Sequence, residues 1–404
     1  MKTPFSEAIP VIEKLKENGY EAYFVGGSVR DLLLNREIGD IDITTSAKPD
    51  EIQEMFPKTV DVGAEHGTII VLHNGKPYEV TTYRSESGYD DFRRPNKVNF
   101  IHCLREDLKR RDFTINAMAM DSNGEIIDYF DGKQHLEENI IRTVGDPSER
   151  FNEDALRMLR ALRFSSQLQF RLADEVKEAI ADHTKLLENI SVERKTVEFE
   201  KLLRGKNSKY AIALLIETGT YTCLPCFASK EKELQCLQKL DLSVLSSSEE
   251  LWTLITYILR NIEIESFLRS WKLPTKIIKA AGKNNKLLEQ LQTNDWTKFL
   301  LYSAGLKSAL EVEKIRLMLN GHNSISNKLT ELTEMFHRLP MKSRDELVIT
   351  GRDILEIISK QAGPWVAELL QEIEMLIVDG RLKNDEREIK EWLYNWKQEF
   401  GQNY

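Results

Sequence analysis

A short apolar segment that runs directly into two glycines is the most restrictive local pattern in this sequence. Residues 23–25 predict a strand, Gly26 and Gly27 a tight turn, and residues 28–34 the first turns of a helix. Glycines let the backbone approach a ligand closely, and the free N–H groups of a helix N-terminus favour an anion. We therefore predict an α/β unit whose turn holds a phosphate group, with Arg30 supplying a mobile positive charge.

Two aspartates, Asp40 and Asp42, follow this unit and alternate with isoleucines. On a strand both carboxylates face the same side, where they repel each other unless a cation lies between them. Mg²⁺ is the natural occupant, because it takes a few carboxylates together with phosphate oxygens. An Asp-x-Asp pair alone more often marks two solvated acids, but the preceding glycine turn favours a metal-bound triphosphate site. With two ions, one activates an attacking hydroxyl while the other holds the triphosphate.

The bulk composition excludes several classes of protein. A length of 404 residues predicts two to four domains, and 30% charged with 41% apolar residues is ordinary for a globular chain. The sequence has no long apolar run and no N-terminal signal segment, so we expect a cytoplasmic protein without a membrane partner. Four cysteines argue against a disulfide framework. Because the net charge is −9, any nucleic acid must bind at local basic patches.

A hairpin is predicted around the Asn74-Gly75 dipeptide, which lies between strand-like segments at residues 68–73 and 76–83. Across a two-residue turn Glu79 faces Ile70, so this carboxylate lies inside a sheet. Two interpretations of Glu79 remain open, namely a third metal ligand and an acid on an exposed sheet face.

Residues 84–95 are polar and rich in turn formers, which predicts a mobile loop over the site. Past Asn139 helical patterns dominate to the C-terminus, without a fixed-period repeat. The predicted fold class is therefore an α/β head followed by an elongated, all-helical remainder.

A basic cluster at residues 109–111 precedes Asp112 and a polar run. Arg111 is a candidate for clamping the triphosphate, because a guanidinium matches phosphate geometry with two parallel hydrogen bonds. Asp112 is a candidate acceptor for a ribose hydroxyl. Taken alone, the segment would be interpreted more simply as a basic surface turn.

An acid and three arginines recur at every third position, at Asp154, Arg157, Arg160 and Arg163, inside an apolar helical pattern. A spacing of three lags the helix by about 60° per step, so Asp154 and Arg157 are neighbours while Arg163 lies toward the far side. The alternative is a helix joined by i,i+3 salt bridges, but Asp154 can neutralise only one or two of the arginines.

In these separated motifs the sequence resembles the class II CCA-adding enzymes, which are tRNA nucleotidyltransferases of the DNA polymerase β superfamily. The resemblance covers residues 20–205, and the tail from Gly351 to Val366 looks like that of the Gram-positive members, which extends it to the whole chain. The motifs that carry it are Gly26-Gly27-Ser28-Val29-Arg30-Asp31, Asp40-Ile41-Asp42, Arg110-Arg111-Asp112-Phe113-Thr114-Ile115-Asn116-Ala117 and Glu153-Asp154-Ala155-Leu156-Arg157-Met158-Leu159-Arg160.

The resemblance implies Mg²⁺-dependent addition of C, C and A to the 3′ end of tRNA, without a nucleic-acid template, from CTP and ATP. The helical half would hold the acceptor and TΨC arms of the tRNA, and a homodimer is one option for the oligomeric state. The implied domains are a polymerase β-like head with a mixed or antiparallel sheet at 1–148, a neck with the base-recognition helix at 149–206, a body at 207–300 and a tail at 301–404.

The family's functional residues match positions of this sequence one by one. The residues matching its metal ligands are Asp40 and Asp42, and those matching its nucleotide-binding residues are Gly27, Arg30, Arg111, Asp154, Arg157, Arg160 and Arg163. Cytosine and adenine both present an amine donor beside a ring-nitrogen acceptor, so Asp154 can accept from the amine while Arg157 donates to the ring nitrogen. Uracil or guanine would leave these buried groups unpaired, which supports strong discrimination.

Several related functions compete with this interpretation. Bacterial poly(A) polymerases share the head and neck, but their Gly-Arg-Arg-Phe-like segment is missing here, where residues 62–67 read Val-Gly-Ala-Glu-His-Gly. Enzymes that add only CC or only A are a second alternative, and the intact polar segment before Pro95 argues against the CC-only form. An inactive RNA-binding relative would have lost Asp40 or Asp42. The switch from C to A is expected to involve Arg84 and Asp90 or Asp91.

Overall fold

The computed structural model describes residues 4–89, 95–321 and 325–400. The chain divides into two compact units, Met1–Ser243 with Ser270–Lys272, and Val244–Arg269 with Leu273–Tyr404. The finer division into head, neck, body and tail stays a prediction.

Eleven strands are found in the described residues. They are β1 Ala22–Val25, β2 Asp42–Thr45, β3 Thr59–Gly63, β4 Thr68–His73, β5 Lys76–Thr82, β6 Arg84–Tyr89, β7 Pro95–Phe100, β8 Met118–Met120, β9 Ile126–Asp128, β10 Ile140–Ile141 and β11 Arg171–Leu172.

The α-helices alternate with these strands at first and then follow one another without strands. They are α1 Pro4–Glu17, α2 Gly27–Leu33, α3 Pro49–Met55, α4 Leu104–Lys109, α5 Gly132–Glu137, α6 Pro147–Glu153, α7 Leu156–Leu168, α8 Asp174–His183, α9 Val192–Leu203, α10 Ser208–Glu217, α11 Glu231–Lys239, α12 Ser248–Leu259, α13 Ile264–Ser270, α14 Thr275–Gln290, α15 Lys298–Ala304, α16 Leu306–Leu319, α17 Ile325–His337, α18 Gly351–Ile358, α19 Trp365–Asp379 and α20 Glu386–Phe400.

The first unit is built on a seven-stranded mixed sheet with the strand order β3-β4-β5-β2-β1-β8-β9. The predicted hairpin is present as β4 and β5, and Ile70 is paired with Glu79 as expected. β2 runs parallel to β5 and antiparallel to β1, so Asp42 is paired with Glu79 on one side and with Val25 on the other. These pairings place the glycine turn after β1 beside the first residue of β2.

Two predictions about this region need correction. Residues 84–89 are not a loop, because they form β6, which pairs antiparallel with β7 in a separate two-stranded sheet. Asp90 and Asp91 lie outside the described residues, and so does the centre of the predicted loop. Asp40 does not share a strand with Asp42, since β2 begins at Asp42 and Asp40 lies in the exposed segment before it.

A cluster of buried apolar residues packs around the end of β1, next to the glycine turn. Val25 at the end of β1 packs with Leu104 and Leu108 of α4 and with Ala117 and Ala119 near β8. Burial of such side chains contributes about 1.5–3 kcal/mol for each large one. The cluster therefore fixes α4, and the basic residues that follow it, against the strand that leads into the glycine turn.

The second unit is helical throughout its described residues from α12 onward, which confirms the predicted helical remainder. The predicted neck contains one short strand, β11, which pairs in parallel with β10. In the second unit the carboxylate of Glu250 pairs with Lys314 at 2.5 Å, and both side chains are largely buried. Among the described helices, none combines the length and the apolar character that crossing a membrane requires.

Candidate active site

A cavity of about 480 Å³ in the first unit collects most of the predicted site residues. Every one of them except Asp40 and Glu79 lines it. The lining also contains Gly26 of the predicted turn and Arg110 of the basic cluster, together with three residues that had no predicted role, namely Asn116, Leu156 and Phe164, and with Arg194 of α9. The two distant motifs at residues 26–42 and 154–163 therefore share one cavity.

The carboxylate of Asp42 lies where the cavity meets the sheet. Burial, together with the nearby charges of Glu79 and Asp40, raises the pKa of Asp42 to about 6, although Arg111 opposes this shift. Such mutual repulsion is what a bound cation would relieve. Among the described side chains no group of three or more His, Cys, Asp or Glu could hold a metal ion by itself.

The turn after β1 requires glycine for two reasons. Gly26 has a φ of +75°, in the region that side-chain-bearing residues rarely adopt. A Cβ at this position would also lie 3.1 Å from Nη1 of Arg111 and 3.8 Å from Oδ2 of Asp42. The turn can thus lie against both a cation and a carboxylate, and the N–H groups that begin α2 stay accessible to an anion.

Arg30 is held firmly, in contrast to the mobile charge predicted from the sequence. Its Nη1 donates to Oδ1 of Asn116 at 2.7 Å, and Nε and Nη2 donate to the carboxylate of Asp31 at 3.0 and 2.9 Å. The side chain is largely buried. The guanidinium is therefore pre-positioned at the edge of the cavity before any ligand arrives.

Arg111 is a buried cation with unused donor capacity. Its Nη2 lies 3.5 Å from Oδ2 of Asp107, which is an ion-pair distance. Its Nε is buried and has no hydrogen-bond partner in the part of the chain that the structure describes. Burial lowers the pKa of Arg111, and the charge of Asp107 is the main factor that opposes this effect. A buried guanidinium with a free N–H is a suitable seat for an anionic oxygen.

The carboxylate of Asp112 already accepts four hydrogen bonds within the protein, and its contact with a ribose hydroxyl stays a prediction. Its Oδ2 accepts from Nε and Nη2 of Arg160 at 2.7 and 2.5 Å, and its Oδ1 accepts from Phe113 N and Asn116 Nδ2. Burial alone would raise the pKa of Asp112, but Arg160 and Asn116 outweigh it and lower the pKa to about 2. Asp112 thus fixes Arg160 in place.

Asp154 lies at a break between two helices and not within one continuous helix. It follows α6 with φ −139° and ψ 103°, and α7 begins two residues later. Its Oδ1 accepts from Leu156 N at 3.0 Å and its Oδ2 accepts from Nη2 of Arg194 at 2.8 Å. Its salt-bridge partner is therefore Arg194 of α9 and none of the three arginines of the motif.

Arg157 is fixed by groups on both sides of the cavity. Its Nη1 donates to Oε2 of Glu153 at 2.5 Å, and its Nη2 donates to the backbone oxygen of Arg110 at 3.0 Å. The bond to Arg110 joins the motif at residues 154–163 to the basic cluster at residues 109–111. Together with the bonds between Arg160 and Asp112, it links the two halves of the predicted site.

Arg163 lines the cavity, although helical spacing places it toward the far side of α7. Its Nε donates to Oε2 of Glu198 at 2.5 Å, and both side chains are about 90% buried. Its guanidinium also lies 3.9 Å from the ring centroid of Phe164, and those of Arg30 and Arg160 lie 5.2 and 5.5 Å from it. An aromatic face attracts cations at these distances. One ring therefore supports three arginines of the site.

Arg194 and Glu198 were missed because their partners are distant in the sequence. The signal that could have found them is their spacing, since both lie on the same helical stripe as the buried Leu202. Charged residues on an otherwise apolar stripe need buried partners. Arg194 still lacks one such partner, because its Nη1 is buried and forms no hydrogen bond among the described residues.

Comparison with known proteins gives matches over most of the chain. The family described as the poly A polymerase head domain matches residues 22–142, the probable RNA and SrmB-binding site of polymerase A matches 169–230, and a tRNA nucleotidyltransferase domain 2 matches 243–393. CCA-adding enzymes of Geobacillus sp. (strain WCH70) and Bacillus subtilis (strain 168) are 49% and 48% identical over 394 and 395 residues, which is 97% of this chain in both cases and 97% and 98% of theirs.

Solved structures agree with these matches. The Bacillus stearothermophilus CCA-adding enzyme in complex with CTP is 46% identical, with a TM-score of 0.94 over 100% of both chains. A tRNA nucleotidyltransferase complexed with a primer tRNA and an incoming ATP analog is 26% identical, with a TM-score of 0.61 over 80% of this chain and 98% of that one. Relatives with almost half of their residues identical cover nearly the whole chain, and the glycine turn, Asp42 and Asp154 lie in one cavity. This chain therefore belongs to the family of CCA-adding enzymes.

Proposed function

We propose that this protein adds C, C and A to the 3′ end of tRNA, using CTP and ATP without a nucleic-acid template. The observation that carries the proposal is that one cavity joins a phosphate-binding turn and a carboxylate to a pair of base-reading side chains, Asp154 and Arg157. A nucleoside triphosphate has the same order of parts, with phosphates at one end and a base at the other. The CTP and ATP-analog complexes of the relatives support this choice of substrates.

The divalent metal would be held by Asp42 and Asp40, and we propose that it is Mg²⁺. When bound, it supplies charge stabilisation at the α-phosphate and lowers the pKa of the attacking 3′-hydroxyl. Glu79 lies beside Asp42 in the sheet and contributes negative charge there, so it is a further candidate ligand. These carboxylates keep the phosphate end of the cavity selective for a metal-bound nucleotide over a bare anion.

The triphosphate would be bound by the turn and two arginines. Gly27 begins α2 and offers its N–H at the positive end of the helix. Arg30 and Arg111 lie on either side of that turn, and the unpaired Nε of Arg111 provides a donor for a phosphate oxygen. Because Arg30 is already held by two side chains, little entropy is lost when the triphosphate binds.

Asp154 and Arg157 would select the base. Arg160 and Arg163 would form the rest of the cavity wall around it. Each carboxylate oxygen of Asp154 uses one lone pair in the protein, which leaves a second for the amine of cytosine or adenine. Nη2 of Arg157 carries a second hydrogen beside the one given to the Arg110 carbonyl, and this hydrogen would donate to the ring nitrogen. Uracil and guanine present the opposite pattern and would leave both groups unsatisfied.

The helical second unit is the proposed binding surface for the acceptor and TΨC arms of tRNA. The match of residues 243–393 to a tRNA nucleotidyltransferase domain supports this assignment. The four-part division at 148, 206 and 300, the cytoplasmic location and the option of a homodimer remain parts of the proposal.

The test is to incubate the protein and Mg²⁺ with a tRNA that lacks its terminal CCA, and to sequence the 3′ ends. CTP, ATP, UTP and GTP are offered singly and together. We expect CC with CTP alone, CCA with CTP and ATP, and no extension with UTP or GTP. Long A tails would support a poly(A) polymerase, and products ending at CC or at a single A would indicate a partial enzyme. Asp42→Ala should abolish every product, whereas Arg157→Ala should relax base choice first.

A further inference from the structure

Asp107 of α4 is a fully buried carboxylate at the meeting point of three elements. Its Oδ1 accepts from Nε and Nη2 of Arg110 at 3.0 and 2.9 Å and from the backbone N of Arg84 at 3.3 Å. Its Oδ2 accepts from Oγ1 of Thr44 at 3.2 Å and lies 3.5 Å from Nη2 of Arg111. One carboxylate therefore touches β2, the first residue of β6 and both arginines of the basic segment.

The contact with Arg111 acts through charge more than through hydrogen bonding. A distance of 3.5 Å is beyond a normal charge-assisted hydrogen bond but well within ion-pair range. Asp107 thus stabilises the buried guanidinium without consuming its donors, and Nε of Arg111 stays without a partner among the described residues. Without a nearby carboxylate, a buried cation of this kind would turn toward water or lose its place.

The contact with Arg110 reaches the other end of the cavity. Because the Arg110 side chain donates two hydrogen bonds to Asp107, the Arg110 backbone is fixed as well. Its carbonyl oxygen accepts from Nη2 of Arg157 at 3.0 Å. Asp107 is therefore connected to Arg157 through Arg110, whose side chain bonds to Asp107 and whose backbone carbonyl bonds to the side chain proposed to read the base.

We propose that Asp107 is a positioning residue of the nucleotide site, which holds Arg111 for the triphosphate and, through Arg110, holds Arg157 for the base. The proposal rests on the proposed function only for the identity of the nucleotide, because the contacts themselves are independent of the reaction. Asp107 does not line the cavity, so it acts through the arginines and touches no substrate.

The first variant is Asp107→Asn, which keeps the size and one acceptor oxygen but removes the charge. We expect kcat/KM for both CTP and ATP to fall by about 10- to 100-fold, the range typical of a lost charged hydrogen-bond partner. Most of the loss should appear in KM, because Arg111 would bind the triphosphate in the ground state and in the transition state alike. Thr44→Val is the matched control, since it removes one contact of the same carboxylate without changing any charge, and its kcat/KM should stay within about threefold of wild type.

A double-mutant cycle separates positioning from general damage to the fold. In an Arg111→Ala background, Asp107→Asn should reduce kcat/KM for CTP by a clearly smaller factor than in the wild type, because only the route through Arg110 to Arg157 remains. An equal reduction in both backgrounds would overturn the proposal, as would a wild-type KM for the Asn variant.

Equilibrium binding of CTP to the same variants provides a readout that does not depend on tRNA extension. If the wild type fails to extend tRNA but CTP binding weakens in Asp107→Asn, the proposed function fails and the positioning role stands. If the Asp107→Asn variant does not fold, the Asp107→Glu variant is tested in its place, since it retains the charge. A KM for CTP within about threefold of wild type supports the proposal, and a larger rise refutes it.

Discussion

Replacing Asp42 by asparagine should stabilise the metal-free protein while it abolishes nucleotide transfer. Burial and the neighbouring charges of Glu79 and Asp40 together raise the pKa of Asp42 from its ordinary value of 3.8 to about 6, against the opposing charge of Arg111. In neutral solution the carboxylate is therefore ionised in an environment that disfavours its charge. Asparagine has nearly the same shape and no charge, so it removes the repulsion and also the carboxylate proposed to bind the metal.

The magnitude follows from the pKa difference. A rise of about 2 corresponds to about 3 kcal/mol at 1.36 kcal/mol for each pKa unit, and the partial exposure of Asp42 reduces this to about 2 kcal/mol. Because the folded-state pKa is the higher one, the folded state binds the extra proton between about pH 4 and pH 6. This contribution to stability is complete below the unfolded-state pKa and is lost as the pH rises through about 6. The gain from asparagine should thus be seen at pH 8 and vanish near pH 4.

The assay is thermal unfolding in EDTA at pH 8 and near pH 4, with calorimetry as the readout. About 2 kcal/mol should raise the transition of the first unit by roughly 4–8 °C at pH 8. Asp40→Asn is the control, and because Asp40 is exposed, its effect should be below about 0.5 kcal/mol. Adding Mg²⁺ should stabilise the wild type and leave Asp42→Asn unchanged. An Asn variant that is less stable than the wild type at pH 8, or equally shifted at both pH values, would refute the reasoning.

Three further substitutions test the supporting contacts of the site. Glu198→Ala should lower the free energy of unfolding by about 3–5 kcal/mol, because Arg163 would keep a buried charge without its partner, and denaturant unfolding measures the loss. Arg194→Met should raise KM for CTP and ATP by about tenfold, since Asp154 loses the charged bond that orients it, and unchanged steady-state constants would contradict this role. Gly205→Ala should cost about 1–3 kcal/mol in thermal unfolding, because a Cβ there would clash with the hydroxyl and the backbone of Ser166 in α7.

Local patterns predicted those parts of the fold in which neighbours along the chain decide the structure. The Asn74-Gly75 turn sets the register of β4 and β5, so the position of Glu79 opposite Ile70 could be derived by counting. β6 could not be predicted in this way, since its sequence is polar and its order comes from pairing with β7. Pairing between strands depends on contacts that composition does not encode.

In the site, too, contacts between residues close in the sequence could be predicted, and contacts between distant residues could not. The spacing of Asp154 and Arg157 indicated a joint function, but the salt bridge from Asp154 runs to Arg194, forty residues later. Helical counting also placed Arg163 too far away, because it assumed one continuous helix, whereas the chain changes direction at Asp154. Asp107 was within reach of sequence reasoning, since its two arginine partners lie three and four residues later, as helical pairs do.

The arginines of the cavity are matched almost one to one by carboxylates, and this affects how salt acts on the two substrates. A cavity that is nearly neutral captures its nucleotide by the placement of donors, and buried pairs are screened little by dissolved ions. Association with tRNA depends instead on the release of counterions, which added salt opposes. We therefore expect ionic strength to separate the two binding events, with tRNA released at a salt concentration at which the nucleotide is still held. The pairs responsible are Arg30 with Asp31, Arg157 with Glu153, Arg160 with Asp112, Arg163 with Glu198 and Arg194 with Asp154.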